Sequence, residues 1–292
     1  MVKTIHSREI GTLRRVLRGL ALAACLLLGP GPGWAAEMAE QAPAAREPGI
    51  AEIEACVTRN LPDDSGRVAF SIEVVDRVGD VTQSRAEILW HRNQEGLERL
   101  LVRVSAPAKT AGTSLLMVDQ EEGAPDLFVY LPEIAKVKRV RSRRLRGPVL
   151  GTDFSYEDLK RLRDPVGQSE IRRLPDRSID GRPHWVVEAR TGEDSGSEYE
   201  RVLTYVDPEH CLPVRLEFIE RDGSLRKVLT APADGILRHG ERWLPHLYVM
   251  RDLHSETLTR VRLDRVELNA ALSDEQFTQE ALLAAGRDFS SH

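Results

Sequence analysis

From Val68 onward, apolar residues return at every second position over nearly all of the remaining chain, and this period limits the fold more than any other feature. Val68, Phe70, Ile72 and Val74 alternate with Ala69, Ser71 and Glu73. Leu100, Val102 and Val104 alternate with Arg99, Leu101 and Arg103, and Leu212, Val214, Leu216 and Phe218 with Pro213, Arg215 and Glu217. Side chains of a strand point to opposite faces in turn, so each run is a strand with one face toward a core. Asp180-Gly181, Asp222-Gly223 and His239-Gly240 separate such runs. These pairs suit two-residue hairpin turns because both residues tolerate positive φ. The pattern supports about ten or eleven strands in an antiparallel meander, curled into a barrel or a strongly curved sheet. Strands do not alternate with helices, which excludes a parallel nucleotide-binding sheet.

Helices are few. Ile50, Ile53 and Val57 recur at helical spacing before Leu61-Pro62, which predicts a short helix over 50–61 with Cys56 near its apolar side. Ser155 with Asp158, and Ser273 with Gln276, read as capping pairs at helix starts. The second pair opens a C-terminal helical segment over 273–286. A single domain over 50–292 is expected, with its curved sheet over about 66–270.

The N-terminus has a different character. Lys3, Arg8, Arg14, Arg15 and Arg18 precede an apolar run from Gly19 to Gly29, and Gly33-Trp34-Ala35 offers small residues for cleavage. An apolar stretch of about 11 residues is too short to span a bilayer and reads as a cleaved secretory signal over 1–35. Residues 36–49, rich in Ala, Pro and Glu, read as a linker. Leu22-Ala23-Ala24-Cys25 also resembles a lipobox that would acylate Cys25, but Leu26, Leu27 and Leu28 continue the run and favour the ordinary signal. Beyond residue 35 the chain carries 36 basic against 45 acidic residues, a net charge of −9. That balance argues against a general nucleic-acid binder. In an exported protein, Cys56 and Cys211 form either one disulfide closing a very long loop or two separate thiols.

Catalytic patterns are missing from the sequence. The eight histidines are scattered without metal-ligand spacing, and no cofactor is implied. Gly192-Glu193-Asp194-Ser195-Gly196 superficially resembles a nucleophile loop but lies in a polar turn without partners for a triad. Asp153, Glu157 and Asp158 are acids that a cation would accept, although helix capping accounts for them.

Two features remain. Lys136, Lys138, Arg139, Arg141, Arg143, Arg144 and Arg146 crowd eleven positions without an acid. They read as a docking site for anionic headgroups or an acidic partner, or as a solvated strand face and loop. Leu115-Leu116-Met117-Val118 and Leu127-Phe128-Val129-Tyr130-Leu131 are apolar on both strand faces, so both faces need cover. The cover is either an ordinary core or a cavity for acyl chains. Alternation alone selects Leu100, Val102, Leu115, Met117, Phe128, Tyr130, Leu216 and Phe218 as cavity candidates.

Pro107 followed by Ala111-Gly112-Thr113-Ser114-Leu115-Leu116-Met117 resembles a strand entry of the outer-membrane lipoprotein-sorting protein family. Tyr130-Leu131-Pro132 with Lys136-Val137-Lys138-Arg139-Val140, and Gly151-Thr152-Asp153-Phe154-Ser155-Tyr156-Glu157-Asp158-Leu159, resemble its next two motifs in order. Tyr205-Val206-Asp207 and Leu212-Pro213-Val214 extend the resemblance over roughly Val68 to Leu283. It implies a LolA/LolB-like fold, a mainly β, incomplete (half-open) antiparallel barrel with a few helices covering its concave apolar face. It further implies a periplasmic, non-enzymatic carrier that receives acyl chains of lipoproteins or another lipid on the way to the outer membrane. An inner-membrane transporter and an outer-membrane acceptor would be its partners. The lid arginine of the better-known carrier has no match here, which leaves the cargo open. The alternative function is an adaptor of an inner-membrane hydrophobe exporter or envelope regulator, docking through 136–146.

Overall fold

The strand period is realised as fifteen strands among the described residues of the computed structural model, which are 47–61, 64–122, 125–140, 147–163, 170–192 and 197–289. The expected signal, Cys25 and most of the expected linker lie outside the described residues. In chain order the strands are β1 (Ser65–Val75), β2 (Val81–Arg92), β3 (Glu98–Ala106), β4 (Ser114–Val118), β5 (Asp126–Leu131) and β6 (Lys136–Arg139). They continue with β7 (Glu170–Ile179), β8 (Arg182–Arg190), β9 (Tyr199–Asp207), β10 (Leu212–Glu220) and β11 (Leu225–Thr230). The last are β12 (Ile236–His239), β13 (Arg242–Pro245), β14 (Leu247–Asp252) and β15 (Thr257–Leu268). Thirteen form one antiparallel sheet in the order β6-β5-β4-β3-β2-β1-β15-β14-β11-β10-β9-β8-β7, while β12 and β13 make a separate hairpin. Part of the excess over the sequence expectation lies in β6, β12 and β13, which have only four residues each, too few to show a period.

The first and last strands pair with each other in the middle of the sheet, and β6 and β7 form its two open edges. The architecture is therefore a half-open barrel, mainly β, with three helices among the described residues. Turn chemistry follows the sequence. Asp180 and Gly181 both take positive φ between β7 and β8, as do Gly223 and Gly240 in their hairpins.

Helix α1 (Ile50–Thr58) starts at Gly49, whose N–H donates to Glu52 Oε2 at 2.6 Å, and ends three residues short of the expected limit. Helix α2 (Tyr156–Arg163) starts on the reciprocal pair read from sequence. The Ser155 N–H donates to Asp158 Oδ2 at 2.8 Å, and the Asp158 N–H donates to Ser155 Oγ at 3.2 Å. The C-terminal segment opens on Ser273 and Gln276 as a 3₁₀ turn (Asp274–Phe277), followed by α3 (Gln279–Phe289).

The three helices divide the two sheet faces. Ile53 and Val57 of α1 pack with Val187 and Val206, and with the half-buried Ile171 and Trp185, at the β7–β9 end. A disulfide joins Cys56 of α1 to Cys211, which precedes β10, with their Cα atoms 5.2 Å apart. Phe277 and Leu282 cover the opposite face at the other end, packing with Leu89, Leu101, Leu116 and Tyr130. Helix α2 belongs to the same face as α1 and lies where the two largest apolar clusters meet.

Candidate functional site

The inner face carries one apolar cluster at each side of α2. Ile72, Ala86, Leu100, Val102, Val104, Leu115 and Leu127 project from β1 to β5 and pack with Val149. Tyr199, Val202, Leu216, Phe218, Leu229 and Met250 project from β9, β10, β11 and β14 and pack with Phe154. Leu159 of α2 packs against both clusters, Tyr156 joins the first and Leu162 the second. An eight-residue helix is only about 12 Å long, whereas nine flat strand spacings cover about 43 Å. One short helix serving strands on both sides therefore requires the sheet to curl around it, and the face it covers is the concave one.

The strap made by residues 147–163 is tied down by polar contacts as well as by packing. Asp153 accepts hydrogen bonds from the hydroxyls of Thr257 and Thr259 on β15, the latter at 2.7 Å, and its N–H donates to Thr259 Oγ1 at 2.9 Å. Glu157 accepts from the Ser197 hydroxyl and from the Glu198 N–H at 3.4 Å. Asp158 is fully buried. Its Oδ2 accepts from Lys227 Nζ at 2.9 Å and its Oδ1 from the Tyr199 hydroxyl at 2.9 Å. Burial and then the adjoining Asp158 charge push the Tyr199 phenol far above its ordinary pKa, and burial raises that of Tyr156. The Lys227–Asp158 ion pair is thus buried under the strap. Removing one partner of such a pair costs about 3–5 kcal/mol, because a buried charge is left uncompensated.

The eight cavity candidates divide between the two faces. Leu100, Val102, Leu115 and Met117 lie together in the first concave cluster, and Leu216 and Phe218 in the second. Phe128 and Tyr130 lie on the opposite face under the C-terminal segment, because Leu127 and Val129 take the concave phase of β5. Both apolar phases of β4 and β5 are thereby covered, one by the strap and the other by α3. Two surface depressions, of about 500 Å³ at α1 and about 410 Å³ beside Gly240, include no residue of the concave clusters.

Of the basic segment, Lys136, Lys138 and Arg139 lie exposed on edge strand β6, with Arg139 paired to Asp126. Arg141, Arg143, Arg144 and Arg146 lie outside the described residues, as do residues 193–196 of the glycine-flanked turn. The acids weighed as cation ligands are engaged elsewhere, Asp153 with threonines, Glu157 with Ser197, and Asp158 with Lys227 and Tyr199. One cluster of possible metal ligands occurs among the described residues, at Asp207, Glu209 and His210. Its members already have partners: His210 Nδ1 lies 2.6 Å from Asp207, and Glu209 pairs with Arg182 at 3.3 Å.

Lys227, Tyr199 and the second role of Asp158 were not read from sequence as parts of a site. The available signal was phase: Lys227 precedes the inward Leu229 by two positions, which puts a charge on the apolar side of β11.

Solved structures share this fold. An outer membrane lipoprotein-sorting protein domain from Vibrio parahaemolyticus is similar with a TM-score of 0.70 at 22% identity, over 80% of this chain and 98% of that one. A DUF1329 family protein from Desulfovibrio piger gives 0.73 at 19% identity, over 80% and 97%. A LolA superfamily protein from Nitrosomonas europaea gives 0.62 at 21% identity, over 80% and 99%. The family model that matches residues 96–284 is described as "-like: Uncharacterized protein". The chain belongs to that family, and its fold is LolA-like. No curated protein matches the sequence. The sequence match covers both the strap and α2.

Proposed function

We propose that this protein is a periplasmic, non-enzymatic carrier whose concave face binds the acyl chains of lipoproteins or of another lipid for transfer toward the outer membrane. The observation that carries the reading is a pair of apolar clusters on the concave face, bridged by Leu159 of one eight-residue helix. Burying an acyl chain removes about 0.8 kcal/mol per CH₂ from water, sufficient to hold a lipid through an aqueous compartment. Loading exchanges α2 side chains for acyl chain, so that apolar surface stays covered in both states and release needs no large input of free energy. An exported chain with a cleaved N-terminal signal accords with the disulfide, which persists in an oxidising compartment. An inner-membrane transporter as donor and an outer-membrane acceptor would complete the transfer.

Native mass spectrometry of the gently purified protein tests this reading. Bound species in the acyl-lipid or lipoprotein range support it. A clean apo mass that stays unchanged after addition of lipid rejects it. The second reading, an adaptor for an inner-membrane exporter or envelope regulator, is favoured by the exposed Lys136, Lys138 and Arg139 on an open sheet edge. Charge reversal at Arg141, Arg143 and Arg144 separates the two, since an adaptor loses its partner and a carrier keeps its ligand.

A further inference from the structure

Among the described lysines and arginines, Lys227 is the one that is buried. Its ammonium and the Tyr199 hydroxyl are both supplied by the sheet, from β11 and β9, while the carboxylate that receives them is supplied by the strap. The sheet alone therefore presents two convergent donors inside an apolar wall of Phe218, Leu229 and Met250. Such a pair is a receptor for two oxygens of one anion, and Asp158 fills it when α2 is in place.

We infer that Lys227 and Tyr199 form an anion subsite, occupied by Asp158 in the closed protein and by the carboxylate or phosphate of an anionic acyl lipid in the loaded one. The inference rests on the carrier reading and narrows its cargo. Displacing α2 withdraws Asp158, and an uncharged lipid would leave the Lys227 ammonium in apolar surroundings without a counter-ion. An anionic headgroup replaces the lost carboxylate oxygen for oxygen. The position suits a headgroup: Lys227 is the third residue of β11 after the Asp222-Gly223 turn, and Leu229 continues the same face about 7 Å further in. The head would rest near the hairpin end and the chain along the cluster.

The test uses the purified protein stripped of lipid, with competing pairs followed by native mass spectrometry. One pair is oleate against methyl oleate, the other dioleoyl phosphatidic acid against dioleoylglycerol. The charged member is expected to win by about tenfold or more, the lower end of what a charge-assisted hydrogen bond contributes. Whichever charged probe wins by more identifies carboxylate or phosphate as the preferred head. Two substitutions are expected to act in opposite directions. Asp158→Asn removes the internal competitor and raises occupancy by the charged lipid, whereas Lys227→Met abolishes the charge preference. A structural role alone would weaken both. If Lys227→Met does not give the wild-type far-UV spectrum, the uncharged pair Asp158→Asn/Lys227→Met replaces it and is expected to bind both members of a pair equally. Equal binding of charged and uncharged lipid by the wild type overturns the subsite and leaves the carrier reading intact. A preference that survives loss of Lys227 also overturns it, and uptake of no probe overturns both.

Discussion

At position 66 a Cβ would stand 2.1 Å from Cζ2 of Trp90, which lies directly across from Gly66 in the β1–β2 register. The contact is with the ring itself, so the indole must leave its place for a methyl group to fit. Gly66→Ala is expected to destabilise the fold by about 1–3 kcal/mol, the usual range for overpacking, read as a lower urea midpoint with an unchanged slope. Nothing in the sequence around Ser65-Gly66-Arg67 marks that requirement, since the clash is made by a partner strand. The same limit explains Phe128 and Tyr130. Alternation within β5 was legible, but which of its two apolar phases faces inward depends on which element arrives on each side. His239 offers a second test at this scale. Its Nε2 lies 2.6 Å from His246 Nε2, and burial followed by the His246 charge holds its pKa below the ordinary value. A depressed histidine binds its proton less well folded than unfolded. Its contribution is therefore fully present above about pH 6.5 and is lost as pH falls toward the folded value. The urea midpoint is expected to fall between neutral and mildly acidic pH, and His239→Gln should reduce that fall.

Among elements, α2 and the C-terminal segment use the same sequence device for different ends. Each begins on a capping pair that was readable in advance, Ser155 with Asp158 at α2 and Ser273 with Gln276 at the 3₁₀ turn before α3, because a cap is a local interaction. Their destinations were not readable, because they depend on contacts more than a hundred residues away, such as Asp153 with Thr259. The C-terminal segment, the 3₁₀ turn with α3, is a structural cover. Phe277 is 2% exposed and packs with Leu282 against β3, β4 and β5, so Phe277→Ala is expected to cost about 3–5 kcal/mol by chemical denaturation. Helix α2 is a removable cover. Leu159 is half-buried between the two concave clusters, and Leu159→Asp should lift the helix without unfolding the sheet. The expected result is a rise in fluorescence of an added apolar dye with an unchanged far-UV spectrum. A rise accompanied by loss of strand signal would instead make α2 part of the folding core.

For the whole molecule, the arrangement answers a difficulty inherent in an open sheet. Among the described residues, thirteen strands form a half-barrel with β6 and β7 at its two edges and a concave face that no second sheet covers. Helices α1 and α2 supply cover on that face, and the disulfide decides how firmly α1 is held. Cys56 and Cys211 are 155 residues apart in sequence, so the bond ties the first element of the fold to the start of β10. Asn60 adds to the tie by donating to the carbonyls of His210 and Cys211 and accepting from the Trp243 N–H. The pairing was one of two alternatives open to a sequence with two exported cysteines, and only the fold brings the residues together. Cys56→Ser/Cys211→Ser is expected to lose about 2–4 kcal/mol in urea, because closing so long a loop restrains the unfolded chain strongly. The wild type in reductant should show the same loss. Ile53 and Val57 would then hold α1 on β8 and β9 by packing alone, and the amides of residues 50–58 should exchange with solvent faster than those of β9 and β10. If α1 and the strands instead gain exchange together, α1 is part of one cooperative unit with the sheet, and only α2 is left as the element able to open the barrel independently.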